Sequence, residues 1–216
     1  MNIYSFEGYI FDLDGTLLDS MEVWRKIYAA PFKEAGMSMP KNLLEQINHL
    51  SLNDSARLTV ERTGLPFSPS ELVQKWTGTA RWVYAHDVRR KEGAKELLLE
   101  LYRRGKRIGI ATANPQGIFE ACLKREGIAD LFMSATSVDE VPRGKGFPDI
   151  YREEARRLGL SAGECLVFED SHMGVRGAKD GGFAVVGVYD KQSEKFAAQM
   201  QKECDAYVRS LAELIE

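Results

Sequence analysis

The chain has 216 residues, 44% of them hydrophobic and 28% charged, with a formal net charge of -3; this suits one main globular domain with an inserted or appended unit and excludes extended disorder. Lysine and arginine are dispersed among acids, and the short run Arg89-Arg90-Lys91 is followed at once by Glu92, so no basic stripe for nucleic acid is present. No apolar stretch approaches the ~20 residues that span a bilayer, Met1 to Tyr9 lacks a basic-then-apolar leader, and Cys122, Cys165 and Cys204 lie far apart without metal-ligand spacing, so a reducing cytoplasm and no membrane partner are expected.

Tyr9-Ile10-Phe11 is a short apolar run that stops at Asp12, with Gly15 supplying turn chemistry just beyond; it reads as a buried strand ending in a loop. From Ser20 to about Asp87 the pattern is helical. Met21, Trp24, Tyr28 and Phe32 recur at helical spacing, Leu65-Pro66 and Ser68-Pro69 punctuate the stretch, and no strand pattern interrupts it. After Gly93 the pattern changes to strands alternating with helices. Ala94, Leu97, Leu98, Leu101 and Tyr102 make one apolar helix face, Gly105 closes it, and Ile108 to Ala111 follows as a strand. A helix with Phe119, Cys122 and Leu123 ends near Gly127, and Leu131-Phe132-Met133 reads as the third strand. A helix with Tyr151, Ala155 and Leu158 ends at Gly159. Strand Cys165 to Phe168, a helix after Ser171, and strand Ala184 to Val188 complete the cycle. The tail from Lys191 to Glu216 is polar, with a late apolar helix expected at Val208, Leu211, Leu214 and Ile215.

Apolar strands alternating with helices predict an α/β fold: a Rossmann-like parallel sheet of five or so strands with helices on both faces. Residues 1–19 and 88–216 would form this core, and residues 20–87 an inserted all-helical unit.

In open parallel sheets, ligands bind beyond the carboxyl ends of the strands. The first strand delivers Asp12 and Asp14 to that edge, the second Thr112, Ala113 and Asn114, and the fourth Glu169 and Asp170. Lys145 lies between the third and fourth, just ahead of the helix near Asp149. Four carboxylates held together repel one another and call for a cation. Their hard oxygens favour Mg2+, which takes one or two carboxylates plus waters and a phosphate oxygen. Lys145, the Thr112 hydroxyl and backbone N–H groups around Leu13 and Ala113 can donate to an anionic phosphate. Asn114 is either a substrate contact or a turn former, and Ser171 fits a helix N-cap. His49, His86 and His172 follow no shared pattern.

Asp12-Leu13-Asp14-Gly15-Thr16 resembles the first signature of the haloacid dehalogenase superfamily. Thr112 fits its second motif, Lys145 in Lys-Gly-Phe-Pro-Asp-Ile-Tyr its third, and Phe168-Glu169-Asp170-Ser171 with Gly174 its fourth. One subclass of that family inserts a small helical cap where residues 20–87 fall. The resemblance implies a nucleophilic Asp12 that becomes an aspartyl phosphate. It implies that Asp14 protonates the leaving alkoxide and then deprotonates water. It also implies a magnesium ion held by the Asp12 side chain, the Asp14 backbone carbonyl and Asp170, with Glu169 nearby through water. Asp19 matches the same signature or anchors the linker to the cap.

Dehalogenases proper carry another residue where Asp14 stands, so phosphoryl chemistry is expected. Within that chemistry the sequence is similar to beta-phosphoglucomutase and its phosphatase relatives. In the mutases a cap-side histidine and an arginine distinguish sugar phosphates from water. The matching positions here are Trp24 and Leu52, neither suited to that polar work, and Trp24 is expected simply to pack within the cap. The leading expectation is a magnesium-dependent phosphatase of a small phosphorylated metabolite such as a sugar phosphate, monomeric or weakly homo-oligomeric. The alternatives are a phosphomutase and a phospho-aspartate signalling or binding domain that does not turn over.

Overall fold

The computed structural model describes residues 1–215; Glu216, the last residue of the tail, lies outside the described residues. Six parallel strands form one sheet in the order β3-β2-β1-β4-β5-β6. They are β1 (Gly8–Phe11), β2 (Arg107–Thr112), β3 (Ser134–Ser137), β4 (Cys165–Glu169), β5 (Ala184–Val188) and β6 (Ala206–Val208). The first strand is central, pairing Gly8–Phe11 with 107–110 on one side and 165–168 on the other. All four residues of β1 and all five of β4 are buried, as strands covered on both faces must be. The strand order reverses at β1, so its carboxyl end opens onto the crevice where α/β sheets bind ligands.

Four helices stand between β1 and β2: α1 (Met21–Glu34), α2 (Leu43–Ile47), α3 (Leu52–Thr63) and α4 (Pro69–His86). Their boundaries follow local chemistry. Ser51 accepts the Asp54 N–H at the start of α3, and Gly64 ends that helix at φ +64°. Ser68 and Glu71 form a capping box ahead of α4, with Pro69 in its first turn. Trp24, Ile27, Tyr28 and Phe32 of α1 are buried in one continuous core with Leu72, Trp76 and Tyr84 of α4. The core helices are α5 (Ala94–Arg103), α6 (Gln116–Glu126), α7 (Asp149–Arg157), α8 (His172–Asp180) and α9 (Ala197–Glu203).

Two expected elements are corrected. The apolar trio Leu131-Phe132-Met133 is not the third strand: 129–131 form a 3-10 turn and β3 begins at Ser134. This strand lies at the sheet edge, and two of its side chains are polar for a reason. The Ser134 and Thr136 hydroxyls donate to the Glu154 carboxylate of α7, Thr136 at 2.6 Å. Among the described residues the tail forms no late apolar helix. Val208 ends β6, a sixth strand parallel to β5, and Leu211–Leu214 make a 3-10 turn. Three residues are too few for strand alternation to register in a sequence.

Candidate functional site

Beyond β1 the chain folds back tightly. The Asp12 N–H still donates to the Phe168 carbonyl at 3.0 Å, extending the ladder with β4 by one bond. The Leu13 carbonyl then accepts the N–H groups of Thr16, Leu17 and Leu18 at 3.3, 3.0 and 2.8 Å. Gly15 turns the loop at φ +84°, a region costly to side-chain-bearing residues. A Cβ there would also lie 2.2 Å from Asp170 Oδ2.

Asp12, Lys145, Glu169 and Asp170 are all buried, at 5%, 3%, 0% and 2% exposure. Lys145 Nζ donates to Asp12 Oδ1 at 2.5 Å and is ion-paired to Glu169 Oε1. The Glu169 carboxylate also accepts from the Tyr151 hydroxyl at 2.7 Å and the Ser171 hydroxyl at 3.1 Å. Asp12 accepts a further, longer bond of 3.4 Å from the Thr16 hydroxyl. Burial works against the Lys145 charge, but Asp12 and Glu169 outweigh it and hold its pKa above the ordinary lysine value. Burial pushes the Asp12 and Glu169 carboxyls up despite Lys145. It pushes Asp170 well above the ordinary carboxylate range, helped by the charges of Asp12, Glu169 and Asp190.

The chemistry of the donor set decides whether these residues suit a metal. Carboxylate oxygens of Asp12, Glu169 and Asp170 all lie within 4.8 Å of one another, with one ammonium among them. Fully ionised, the three carboxylates would set three negative charges against one ammonium, which burial and mutual repulsion resist in the absence of a further cation. Asp170 Oδ2 is buried without a hydrogen-bond partner, a costly state for a polar atom. The set fits a hard divalent cation such as magnesium. Glu169, expected to lie near the metal through water, has its oxygens engaged by Lys145, Tyr151 and Ser171. Asp12 and Asp170 are therefore the better-placed side chains for the ion.

Asp14 faces a different group. Its carboxylate accepts from Ser20 Oγ at 2.5 Å, Asn114 Nδ2 at 2.5 Å, Trp24 Nε1 at 3.3 Å and the Tyr84 hydroxyl. Trp24 Nε1 also donates to the Tyr84 oxygen at 2.6 Å. Burial raises the Asp14 pKa while the bonds from Ser20, Tyr84 and Trp24 oppose it. Trp24 thus does more than pack: its indole N–H performs polar work at an acid. Leu52 remains an apolar wall of the same cavity.

Thr112, expected to donate to phosphate, is fully buried, and its hydroxyl accepts the Asn114 N–H at 3.1 Å, shaping the turn after β2. Ala113, Asn114 and Lys145 line the cavity with Asp12, Asp14 and Asp170. Ser171 caps α8 as expected, accepting the Gly174 N–H at 3.1 Å. The Asp19 N–H donates to the Arg89 carbonyl at 2.9 Å, joining the two connections that lead into and out of the inserted helices. Sequence reasoning missed Ser20, Tyr84 and Tyr151. The only available signal was a phenol on an otherwise apolar helix face, since a buried tyrosine hydroxyl needs a partner.

A family model described as haloacid dehalogenase-like hydrolase matches residues 9–188. A probable pseudouridine-5'-phosphatase of Drosophila melanogaster is 31% identical over 189 residues, covering 84% of this chain and 80% of its own length. Fructose-1-phosphate phosphatase YqaB of Escherichia coli is 26% identical over 186 residues, covering 85% and 96%. The crystal structure of CbbY from Rhodobacter sphaeroides in complex with phosphate shares the fold, with a TM-score of 0.84 at 24% identity over 97% of this chain and 96% of that one. This chain belongs to the haloacid dehalogenase-like hydrolase family, as a phosphoric monoester hydrolase.

Proposed function

We propose that the protein is a magnesium-dependent phosphatase that hydrolyses a small phosphorylated metabolite of the sugar-phosphate kind through an aspartyl-phosphate intermediate on Asp12. One observation carries this reading. The buried Asp12 carboxylate, at the switch point of the sheet, shares a single cavity with Asp14, Lys145 and the unpartnered oxygen of Asp170. Relatives named as phosphatases of phosphorylated sugars and nucleosides support it.

In the proposed reaction an Asp12 oxygen attacks phosphorus and the bond from phosphorus to the leaving oxygen breaks. Asp14 gives its proton to that oxygen, so the alcohol departs neutral. Asp14 then takes a proton from water, whose oxygen attacks phosphorus. The bond to Asp12 breaks, freeing the carboxylate and orthophosphate. Lys145 holds Asp12 in place and offers positive charge to the phosphoryl oxygens. Magnesium on Asp12, Asp170 and the Asp14 carbonyl would supply charge neutralisation between nucleophile and phosphate dianion.

Residues 20–87 act in this reading as a cap over a core of residues 1–19 and 88–216, and they shield the intermediate. Three contacts support closure: Lys145 N–H to the His49 carbonyl at 3.1 Å, Gln192 Nε2 to Glu22 Oε2 at 3.5 Å, and the Lys195–Glu45 ion pair. Among the described residues no helix is long and apolar enough to cross a membrane.

Asp12→Asn is expected to abolish phosphate release from a panel of metabolites while thermal unfolding stays cooperative. Chelation should stop the wild type and added magnesium restore it. Turnover by the asparagine variant near the wild-type rate would defeat the nucleophile assignment.

A further inference from the structure

The cavity that holds Asp12 and Asp14 has a volume of about 420 Å³, within the range of small-ligand sites, and its chemistry is uneven. Asp12, Asp14, Asp170 and Glu45 put four carboxylates on its wall. Among the described lining residues, Lys145 is the single lysine or arginine, and both Asp12 and Glu169 engage it. A magnesium ion at the acids would serve the transferring phosphate and leave nothing for a second anion. The rest of the wall adds no full positive charge: Gln46, Asn48, Gln192 and Ser193 are neutral hydrogen-bonding groups. Met21, Trp24, Tyr28, Leu52, Met173 and Phe196 are apolar or aromatic. His49 is held below its usual pKa by burial, and His172 is paired with Glu203 at 3.0 Å. Lys195, outside the lining residues, is ion-paired with Glu45 of the wall.

Resting on the phosphatase reading, we propose that this site selects monoesters bearing one phosphate and an uncharged leaving alcohol, and rejects bisphosphates and phosphorylated carboxylic acids. The physical cause is desolvation. An anionic group on the alcohol would leave water for a wall of hydrocarbon, carboxylate and neutral amides and hydroxyls, whose dipoles replace a full ammonium or guanidinium charge only in part. An uncharged alcohol incurs no such cost, and its carbon-bound hydrogens can lie on the aromatic faces.

The test compares matched probes in magnesium: phenyl phosphate against 4-carboxyphenyl phosphate, and a hexose 6-phosphate against the corresponding 1,6-bisphosphate. The anion-bearing member of each pair should show kcat/KM lower by about tenfold to a hundredfold, the size expected for one unpaired charge. Asn48 lines the cavity from the carboxyl end of α2 and is only partly buried. Asn48→Lys should move the ratio towards the carboxylated probe by tenfold or more, while Asn48→Gln leaves the ratio where it was. Equal kcat/KM within each pair, or no change of ratio in Asn48→Lys, would overturn the selectivity while the phosphatase reading stands. No phosphate release from any of the four probes would overturn the phosphatase reading and the selectivity with it.

Discussion

Replacing Lys145 with methionine keeps the length of the side chain and removes the one ammonium that Asp12 and Glu169 share. Both acids are buried, at 5% and 0% exposure, so water cannot take over. Deleting one partner of a buried ion pair costs about 3–5 kcal/mol, because the other charge is left uncompensated. For a chain of this size that corresponds to a fall in Tm of roughly 6–20 °C. Urea unfolding in chelator at pH 7 should show this loss, and Lys145→Met/Glu169→Gln should regain a substantial part of it. The pH dependence has a definite sign. Burial already raises the Glu169 and Asp12 carboxyls, and Lys145 is the main influence lowering them; its removal raises both further. A carboxyl with a raised folded-state pKa contributes stability below its unfolded pKa and loses it as pH rises through the folded value. The gap between variant and wild type should therefore narrow as pH falls from 7 towards 5. A Lys145→Met protein within 1 kcal/mol of wild type at pH 7, or a gap that widens on acidification, would refute the electrostatic reasoning.

Gly15→Ala must push Asp170 aside, since its Cβ would lie 2.2 Å from Oδ2. A shift of this kind costs roughly a hundredfold in turnover, and the half-saturating magnesium concentration should rise; an unchanged magnesium titration would count against Asp170 as a ligand. Asp14→Ala should slow alkyl phosphates about a hundredfold or more beyond its effect on aryl phosphates, whose leaving groups need less protonation; equal losses would remove Asp14 as the acid. Tyr84→Phe deletes the hydroxyl that donates to Asp14 and accepts from Trp24; that bond helps hold the Asp14 pKa down against burial, so its loss should raise it. The pH–rate profile for alkyl phosphates should move to higher pH while that for aryl phosphates moves less, and unmoved profiles on both would reduce Tyr84 to a packing residue.

Much of the core was legible because its strands are covered on both faces. Ile108 to Ala111 and Cys165 to Phe168 read as uninterrupted apolar runs, and each ends where a chemical residue begins. The acids at the ends of β1 and β4 were found on the same logic. The edge strand escaped because Glu154 reaches up from α7 and lets Ser134 and Thr136 be polar, which no local pattern shows. The surroundings of Asp14 escaped for a different reason. Tyr84 sits near the end of a long helix, seventy positions away from the acid, and only three-dimensional closure brings the two together. The partnership of Lys145 with Glu169 was likewise hidden, because a lysine's preference for phosphate or carboxylate depends on what lies beside it in space.

Strand β1, which leads into the proposed nucleophile Asp12, lies in the middle of the sheet, flanked by segments 107–110 and 165–168. During synthesis Tyr9, Ile10 and Phe11 emerge well ahead of β2 and further still ahead of β4, so their pairing on the two sides waits for each in turn. Such distant pairings slow folding and lengthen the time for which an apolar segment stays open to wrong associations. Nascent fragments that end before β4 would carry Asp12 without Glu169 and Asp170 beside it, and so the motif without the proposed site.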